Sequence, residues 1–365
     1  MYLLGSGTYG SVYGTNNKRA IKKADRYYSW ISLREMVTMK YISLHDYHPM
    51  ITLYEVSYSE ESITMELAKI DLHKWISISP SLSRRCLIVR QVIEAVYLLH
   101  QIGIVHGDLK TANLVLVDDI TGNTGNNDNT GNTGNKVKII DFGFSGPPKW
   151  AFTQYTTPIY KDPYETGEPG SIGSFSADIY ALGIIMIELF TGFEFESPPT
   201  SHKIREITHS ISRDYRYLIR SMTSAPKKRP NISQVMEHFG IDGPVLPSLK
   251  RVSIRQGEIS IYEKRYINSL ITICNISGPN KVSDFFILLS IFCGMADYRT
   301  DIQFYILAII YIYSAYFHNP VNYPALLSMA PSYYNRKIRK IKLAKKIDFL
   351  INNEQFIIKL LSMIN

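Results

Sequence analysis

The chain has 365 residues, 45% hydrophobic and 20% charged, a balance that excludes a chain disordered as a whole and leaves room for two domains. The net charge of +8 points toward nucleic acid, but residues 1–245 carry 25 Lys and Arg against 25 Asp and Glu, whereas residues 246–365 carry 15 against 7. The excess is confined to the last third, and no specific nucleic-acid binding is expected.

At the N-terminus, Met1-Tyr2-Leu3-Leu4-Gly5 has no basic segment ahead of an apolar core, so no secretory signal is expected. Gly5-Ser-Gly-Thr-Tyr-Gly10-Ser-Val12 has the spacing G-x-G-x-x-G-x-V. Glycine brings backbone N–H donors close to phosphate with no Cβ in the way. Dinucleotide sites use a similar pattern that opens into a helix. Here the strand-like runs Ser11–Tyr13 and Arg19–Lys22 follow, which suits two antiparallel strands. Lys22, after Ala20 and Ile21, reads either as an exposed strand lysine or as one reaching into a cleft. In a cleft it needs a carboxylate to hold its charge, and Glu35, in the helical segment Ser32–Tyr41, is the candidate. Further strand-like runs, Ile51–Tyr54 and Ser62–Met65, complete a small β-rich lobe. After Leu72 the pattern turns helical, as in Leu82–His100 and Ser176–Thr191, predicting a larger α-rich lobe across a cleft.

The segment Ile104-Val-His-Gly-Asp-Leu-Lys-Thr-Ala-Asn-Leu-Val115 puts Asp108, Lys110 and Asn113 in one short loop between a helix and a strand. Asp108 can accept a hydroxyl proton, Lys110 can neutralise charge on a transferring phosphoryl, and Asn113 offers an oxygen to a hard cation. The strands around Asn113–Val117 and Lys136–Ile140 read as a hairpin whose tip, Thr121–Asn135, is a run of Gly, Asn and Thr that cannot bury anything. Asp141-Phe142-Gly143 follows, a carboxylate suited to Mg²⁺ between phosphates. Separately these residues read as a turn, a cap and a strand terminator; in this order they point to phosphoryl transfer.

With these motifs, residues 1–245 resemble the eukaryotic-type serine/threonine protein kinase family. The resemblance implies an α+β, bilobal protein-kinase fold, with an N-lobe over 1–67 and a C-lobe over 68–245 that carries the 121–135 insert. It implies ATP and Mg²⁺ as cofactors and protein serine or threonine hydroxyls as acceptors. Gly5, Gly7 and Gly10 would cover the phosphates, and Leu4, Val12 and Ala20 the adenine. Lys22 would bind phosphate while paired to Glu35. Met65 would back the pocket, with backbone groups of Glu66 and Ala68 binding adenine. Asp108 would be the catalytic base, Lys110 its phosphate-neutralising neighbour, and Asn113 and Asp141 the metal ligands. Thr156-Thr-Pro-Ile-Tyr160 is similar to the segment that receives substrate. Asp178 corresponds to a buried brace of the catalytic loop, and Arg229 to the family's closing arginine.

Three departures stand out. Gly107 replaces the usual arginine before the base, which puts control by a phosphorylated activation loop in doubt. Asp162-Pro163-Tyr164 stands where Ala-Pro-Glu is usual, with Glu165 one position along as a substitute partner for Arg229. Met1 lies almost on the glycine loop, leaving a minimal first strand.

Gly240-Ile-Asp-Gly-Pro-Val-Leu-Pro247 reads as a boundary, and residues 246–365 as an all-α domain with helices over Ile259–Asn275, Val282–Ala296 and Asp301–Phe317, then a proline-broken turn at Asn319–Pro324. Their order is similar, by pattern alone, to a cyclin box. Two readings stand: an intramolecular contact in which this domain packs on the N-lobe helix and holds Glu35 toward Lys22, or an unrelated extension that stabilises or binds partners. The apolar runs Phe285–Cys293 and Ile302–Phe317 fall short of the ~20 residues of a spanning helix, so no membrane contact is expected. The basic run Arg336–Lys346 reads as a solvated helix face with its isoleucines turned inward. Cys86, Cys274 and Cys293 are odd in number and lack metal-ligand spacing, which fits an intracellular, cytoplasmic setting, the host cytoplasm if the source is a large DNA virus.

Overall fold

Short strands separated by glycine and polar turns build the first layer. The computed structural model describes residues 1–25, 29–45, 49–118, 135–148, 151, 157–164, 173–243, 288, 302–315, 323–331 and 334–364. Strands β1 (Tyr2–Gly7), β2 (Gly10–Gly14), β3 (Arg19–Ala24), β4 (Leu53–Ser57) and β5 (Ser62–Glu66) form an antiparallel sheet in the order β1-β2-β3-β5-β4. Val12 pairs with Lys22 and Ala20 with Met65. Side chains alternate along a strand and directly opposed ones share a face, so Val12, Ala20, Lys22 and Met65 line the same side of the sheet. β1 is six residues long and exposed throughout, longer than a minimal strand. β4 starts at Leu53, because Ile51 leaves the sheet, is buried, and donates its N–H to Ile139 O at 3.1 Å across the lobes.

Helix α1 (Ser29–Ser43) is covered on all sides: every residue from Ile31 to Met39 is buried. A helix buried all round needs packing partners on each face. β4 lies on one side, and two helices from the chain's end lie on another.

The lower lobe starts with a second antiparallel sheet, β6 (Ile70–Asp71), β7 (Leu114–Asp118) and β8 (Asn135–Ile139), in the order β6-β7-β8. The predicted hairpin is therefore present; most of its tip lies outside the described residues. Helices α2 (Leu72–Ser77), α3 (Leu82–Gln101) and α4 (Phe175–Thr191) start at Asp71, Ser81 and Ser174, whose side chains accept the N–H of the third helical residue. α4 is buried from Ala177 to Leu189 and forms the centre of the lobe. Around it lie α5 (Ser201–Ile207), α6 (Arg213–Met222) and α7 (Ile232–His238), the last opened by an Asn231–Gln234 capping box.

Four described helices follow: α8 (Ile302–Ser314), α9 (Tyr323–Ser328), α10 (Arg336–Ile351) and α11 (Glu354–Ile364). α8 packs on α10, while α10 and α11 pack on α1. Asp348 of α10 accepts the N–H groups of Tyr58, at 2.5 Å, and Ser59, at 3.2 Å, in the β4–β5 turn. Of the helices expected over 259–275 and 282–296, all but Leu288 lies outside the described residues, as does the 319–322 part of the proline-broken turn. Among the described residues no helix is long and apolar enough to cross a membrane.

Two expectations are corrected. Ile338 and Ile341 do not turn inward: they are 39% and 47% exposed, because α10 buries its Leu343, Ala344, Ile347 and Leu350 face instead. The partner of Arg229 is Asp162. Its carboxylate takes both terminal guanidinium nitrogens at 2.5 and 2.7 Å, with both side chains 1% exposed. Glu165 lies outside the described residues.

Breaking a buried bidentate pair leaves an uncompensated charge, a loss of about 3–5 kcal/mol. Asp162→Ala is expected to lower the unfolding free energy by about that amount, read from the midpoint shift in urea denaturation; a change under about 1 kcal/mol contradicts the pairing.

Candidate functional site

The cleft between the lobes encloses a cavity of about 360 Å³, within the range of small-molecule sites. Leu4, Gly5, Gly7, Gly10, Val12 and Ala20 line its roof, Met65, Glu66 and Ala68 its rear and hinge, and Lys22, Glu35, Asn113 and Asp141 its polar end. Asp108 and Lys110 lie just beyond, joined to that end through Asn113.

Gly10 is demanded by the fold. Its φ is +151°, and a Cβ there would stand 2.2 Å from the Lys23 carbonyl oxygen. Gly5 and Gly7 differ: a Cβ on either would meet nothing within 4 Å. Among the described residues, protein packing leaves those positions open toward the cleft.

Lys22 Nζ donates to both oxygens of Glu35, at 2.8 and 2.7 Å, and to Asp141 Oδ1 at 2.9 Å. β3 supplies the lysine, α1 the glutamate, and the segment after β8 the aspartate. Burial by itself lowers the lysine's pKa, but the charges of Asp141 and Glu35 and their hydrogen bonds more than offset it, so the ammonium titrates above its ordinary value. Glu35 is driven up by burial despite the attraction of Lys22. Burial also raises Asp141, but Lys22, Lys110 and His106 together outweigh it and hold that carboxyl below its usual value. Asp141 sits at φ +66°, a left-handed conformation that aspartate tolerates better than most residues and that recurs at functional sites.

The loop after α3 is held from below. Asp178, 2% exposed, accepts the backbone N–H of His106 at 2.8 Å and of Gly107 at 3.1 Å, and contacts His100 Nε2 at 3.0 Å. Gly107 has φ +81°, where an L side chain is strained, so glycine relieves the cost of the turn that presents Asp108. Asp108 N–H donates to His106 Nδ1 at 3.2 Å, which leaves His106 Nε2–H to donate to the Ile140 carbonyl at 3.1 Å.

Around Asp108 the polar groups converge. Lys110 Nζ donates to Asp108 Oδ2 at 2.6 Å and to Thr157 Oγ1 at 2.9 Å. Thr157 N–H donates to Asp108 Oδ1 at 3.0 Å. Asn113 Nδ2 donates to the Asp108 carbonyl at 2.9 Å, so its amide oxygen is the atom available for a cation. Together with the Asp141 carboxylate this is an all-oxygen donor set, the chemistry of a hard divalent ion. Among the described residues no three His, Cys, Asp or Glu gather as a metal cage. The residues fit the ATP and Mg²⁺ that their pattern implies.

The structure thus brings together every site residue expected from the sequence. Sequence reasoning missed Asp162, whose signal was only its nearness to the expected glutamate. It also missed a buried chain in the lower lobe, where the Tyr160 hydroxyl lies 2.9 Å from Thr111 Oγ1 and donates to Glu188 Oε2 at 2.7 Å. Nothing in the pattern of α4 marks Glu188, which with Asp178 is one of two acids on a helix buried almost end to end.

Comparison with known proteins agrees with this geometry. A model of the protein kinase domain matches residues 1–239. The chain is similar to NUAK family SNF1-like kinase 1 of Mus musculus (29% identity, over 66% of this chain and 38% of that protein). It is similar to dual specificity protein kinase Ttk of Danio rerio (26%, over 63% and 24%) and to serine/threonine-protein kinase pim-2 of Danio rerio (30%, over 65% and 82%). The chain therefore spans less than two-fifths of the length of the first two.

Glu188 yields a pH test. Burial pushes its carboxyl up to about 7, against the hydrogen bonds from Tyr160 and Thr111. A carboxyl raised in the folded state binds more protons there than in the unfolded chain, so its contribution to stability is lost as pH rises through about 7. Glu188→Gln keeps an oxygen for Tyr160 and cannot ionise. Its stability relative to wild type is expected to grow by about 2–3 kcal/mol from pH 5 to 7 and to level off above, measured by urea denaturation at each pH; a pH-independent difference contradicts the assignment. Gly107→Ala is expected to cost about 1–2 kcal/mol in the same assay, and no loss would refute strain at this φ.

Proposed function

This chain belongs to the eukaryotic-type protein kinase family, and from that premise we propose that it transfers the γ-phosphoryl group of ATP to serine and threonine hydroxyls of proteins. The observation that carries the proposal is the convergence of Lys22, from the upper lobe, with Asp141, Asn113 and the Asp108–Lys110–Thr157 cluster, from the lower, on one cleft. Protein kinases generally use ATP and Mg²⁺. When bound, Mg²⁺ supplies positive charge that neutralises the phosphate oxygens and orients them for in-line displacement.

The chain's own residues do the rest. The open edge at Gly5 and Gly7 admits phosphate close to backbone N–H groups, while Leu4, Val12 and Ala20 give an apolar covering for adenine. Backbone groups of Glu66 and Ala68, at the rear of the cavity, are positioned to hydrogen-bond its edge. Lys22 is held by Glu35 so that its ammonium stays directed at the α- and β-phosphates. Asn113 and Asp141 would hold the metal.

Asp108 accepts the proton of the acceptor hydroxyl as that oxygen bonds to the γ-phosphorus. The bond from phosphorus to the β,γ-bridging oxygen breaks, and ADP leaves with the electron pair. Lys110 neutralises charge developing on the transferring group, and Thr157 orients Asp108. Catalysis here is mainly positioning and charge neutralisation. Lys110 beside the base, with Thr157, supports serine and threonine over tyrosine as acceptors. The lack of an arginine at Gly107 supports an enzyme that does not depend on a phosphate in its activation segment. The packing of α10 and α11 on α1 supports an intramolecular role for the C-terminal helices in fixing Glu35. Cysteines without pairing spacing support a reducing, intracellular setting.

Labelled-ATP transfer to a peptide library with serine, threonine and tyrosine acceptors tests the reading. Serine and threonine peptides are expected to be labelled in a Mg²⁺-dependent manner. Asp108→Asn is expected to reduce turnover at least about 100-fold, the scale of a lost general base, with ATP association retained within a few-fold by calorimetry. Turnover within ten-fold of wild type would remove Asp108 from the role of base.

A further inference from the structure

Arg34 is the largest side chain with no solvent exposure among the described residues, and it precedes Glu35 in α1. Its Nε donates to the Ser145 carbonyl at 2.9 Å, and its Nη1 to the Ala315 carbonyl at 3.3 Å. These acceptors lie 111 and 281 residues away in sequence. Ser145 belongs to the turn that follows Asp141-Phe142-Gly143: its N–H donates to Phe142 O at 3.1 Å and its hydroxyl to His106 O at 2.7 Å. Ala315 immediately follows α8, and its N–H donates to Tyr311 O at 3.1 Å. The last carbonyls of a helix carry partial negative charge and have no partner within the helix, so a buried cation is well placed there.

We propose that Arg34 is a positioning residue for catalysis, the joint through which the C-terminal helices lock α1 and the segment after Asp141 into one arrangement; this deepens the kinase reading above and rests on it. The logic is electrostatic. A guanidinium cannot discharge, so once buried it demands acceptors. Two of its acceptors are main-chain carbonyls from segments far apart in sequence, one beside the site and one at the end of α8. Both stay in place only when α8 is docked and the turn through Ser145 is folded as seen. Rotation or outward movement of α1 would strip Arg34 of them, and the same movement would pull Glu35 from Lys22. The docked helices therefore raise the cost of moving α1 away from Lys22 within one chain, with no phosphate needed near Gly107. α10 acts in the same sense from the other end, where Asp348 holds the Tyr58 and Ser59 N–H groups.

A buried arginine with a purely structural role would alter stability and leave turnover of the folded molecules unchanged. The test uses the full-length chain with Arg34→Met, Arg34→Lys and Asp348→Ala, the folded fraction of each being fixed by urea denaturation. After correction for that fraction, Arg34→Met is expected to lower kcat at least ten-fold and to raise the KM for ATP. Hydrogen exchange of the α1 amides should quicken, while peptide KM stays within two-fold. Arg34→Lys, which keeps the charge and reaches one carbonyl, is expected to recover at least three-fold of the lost kcat. Asp348→Ala is expected to lower kcat several-fold with the same gain in α1 exchange, and it decides the matter with Arg34→Lys if Arg34→Met does not fold. A corrected kcat within two-fold of wild type in the variants that fold overturns the proposal, and so does a fall in kcat with unchanged α1 exchange. Failure of the kinase reading looks different: wild type itself would neither bind ATP with Mg²⁺ nor transfer phosphate.

Discussion

A lysine from one lobe bonded to an aspartate from the other governs this molecule. Lys22 is half-buried, its side chain 15% exposed, and an ammonium drawn that far from water needs anions beside it; Glu35 and Asp141 supply two, each within 2.9 Å. At an effective dielectric of about 20, unit charges about 4 Å apart attract by roughly 4 kcal/mol, comparable to the penalty of removing one such ion from water. The balance is therefore close and depends on geometry. The three side chains come from β3, from α1 and from the segment after β8, so their meeting fixes the sheet, the helix and the lower lobe relative to one another.

That dependence makes the position of α1 decisive, and α1 is unusual in having no solvent face between Ile31 and Met39. A helix lying on a small sheet would ordinarily leave one side in water. Here the outer side is covered by α10 and α11, and its buried cation is tied to the end of α8. The chain carries its own wall behind the helix. The same apolar core runs from the upper lobe through these helices and into the lower lobe, so the described C-terminal helices are packed as part of one body with the site.

The lower lobe solves a different problem, that of pairing the polar groups it buries. Asp178 collects two N–H groups of the loop that carries Asp108. Asp162 answers Arg229, which also donates to the Ser176 carbonyl at 2.9 Å at the start of α4. Tyr160 links Thr111, two residues before Asn113, to Glu188 inside α4. Each contact ties a flexible connection to the rigid central helix, and a satisfied buried network rigidifies what it joins. The loop that carries Asp108 thus inherits its precision from α4, none of whose described residues lines the cleft.

Much of the site was legible in sequence because its chemistry is local. The glycine spacing, the Asp108–Lys110–Asn113 run and Asp141-Phe142-Gly143 declare themselves, since each works through backbone geometry and side chains within a few residues of one another. The Lys22–Glu35 pair was also legible, as a lysine pointing into a cleft needs a carboxylate and α1 offers one acid. What sequence left undecided were choices between neighbours and between faces. Asp162 rather than a residue three positions on, the exposed rather than buried Ile338 and Ile341, and the carbonyls that Arg34 binds all depend on how segments far apart in sequence come to rest. Hydrogen-bond acceptors on the main chain carry no sequence signature, and which face a helix buries is settled by what packs against it; those facts belonged to the tertiary structure alone.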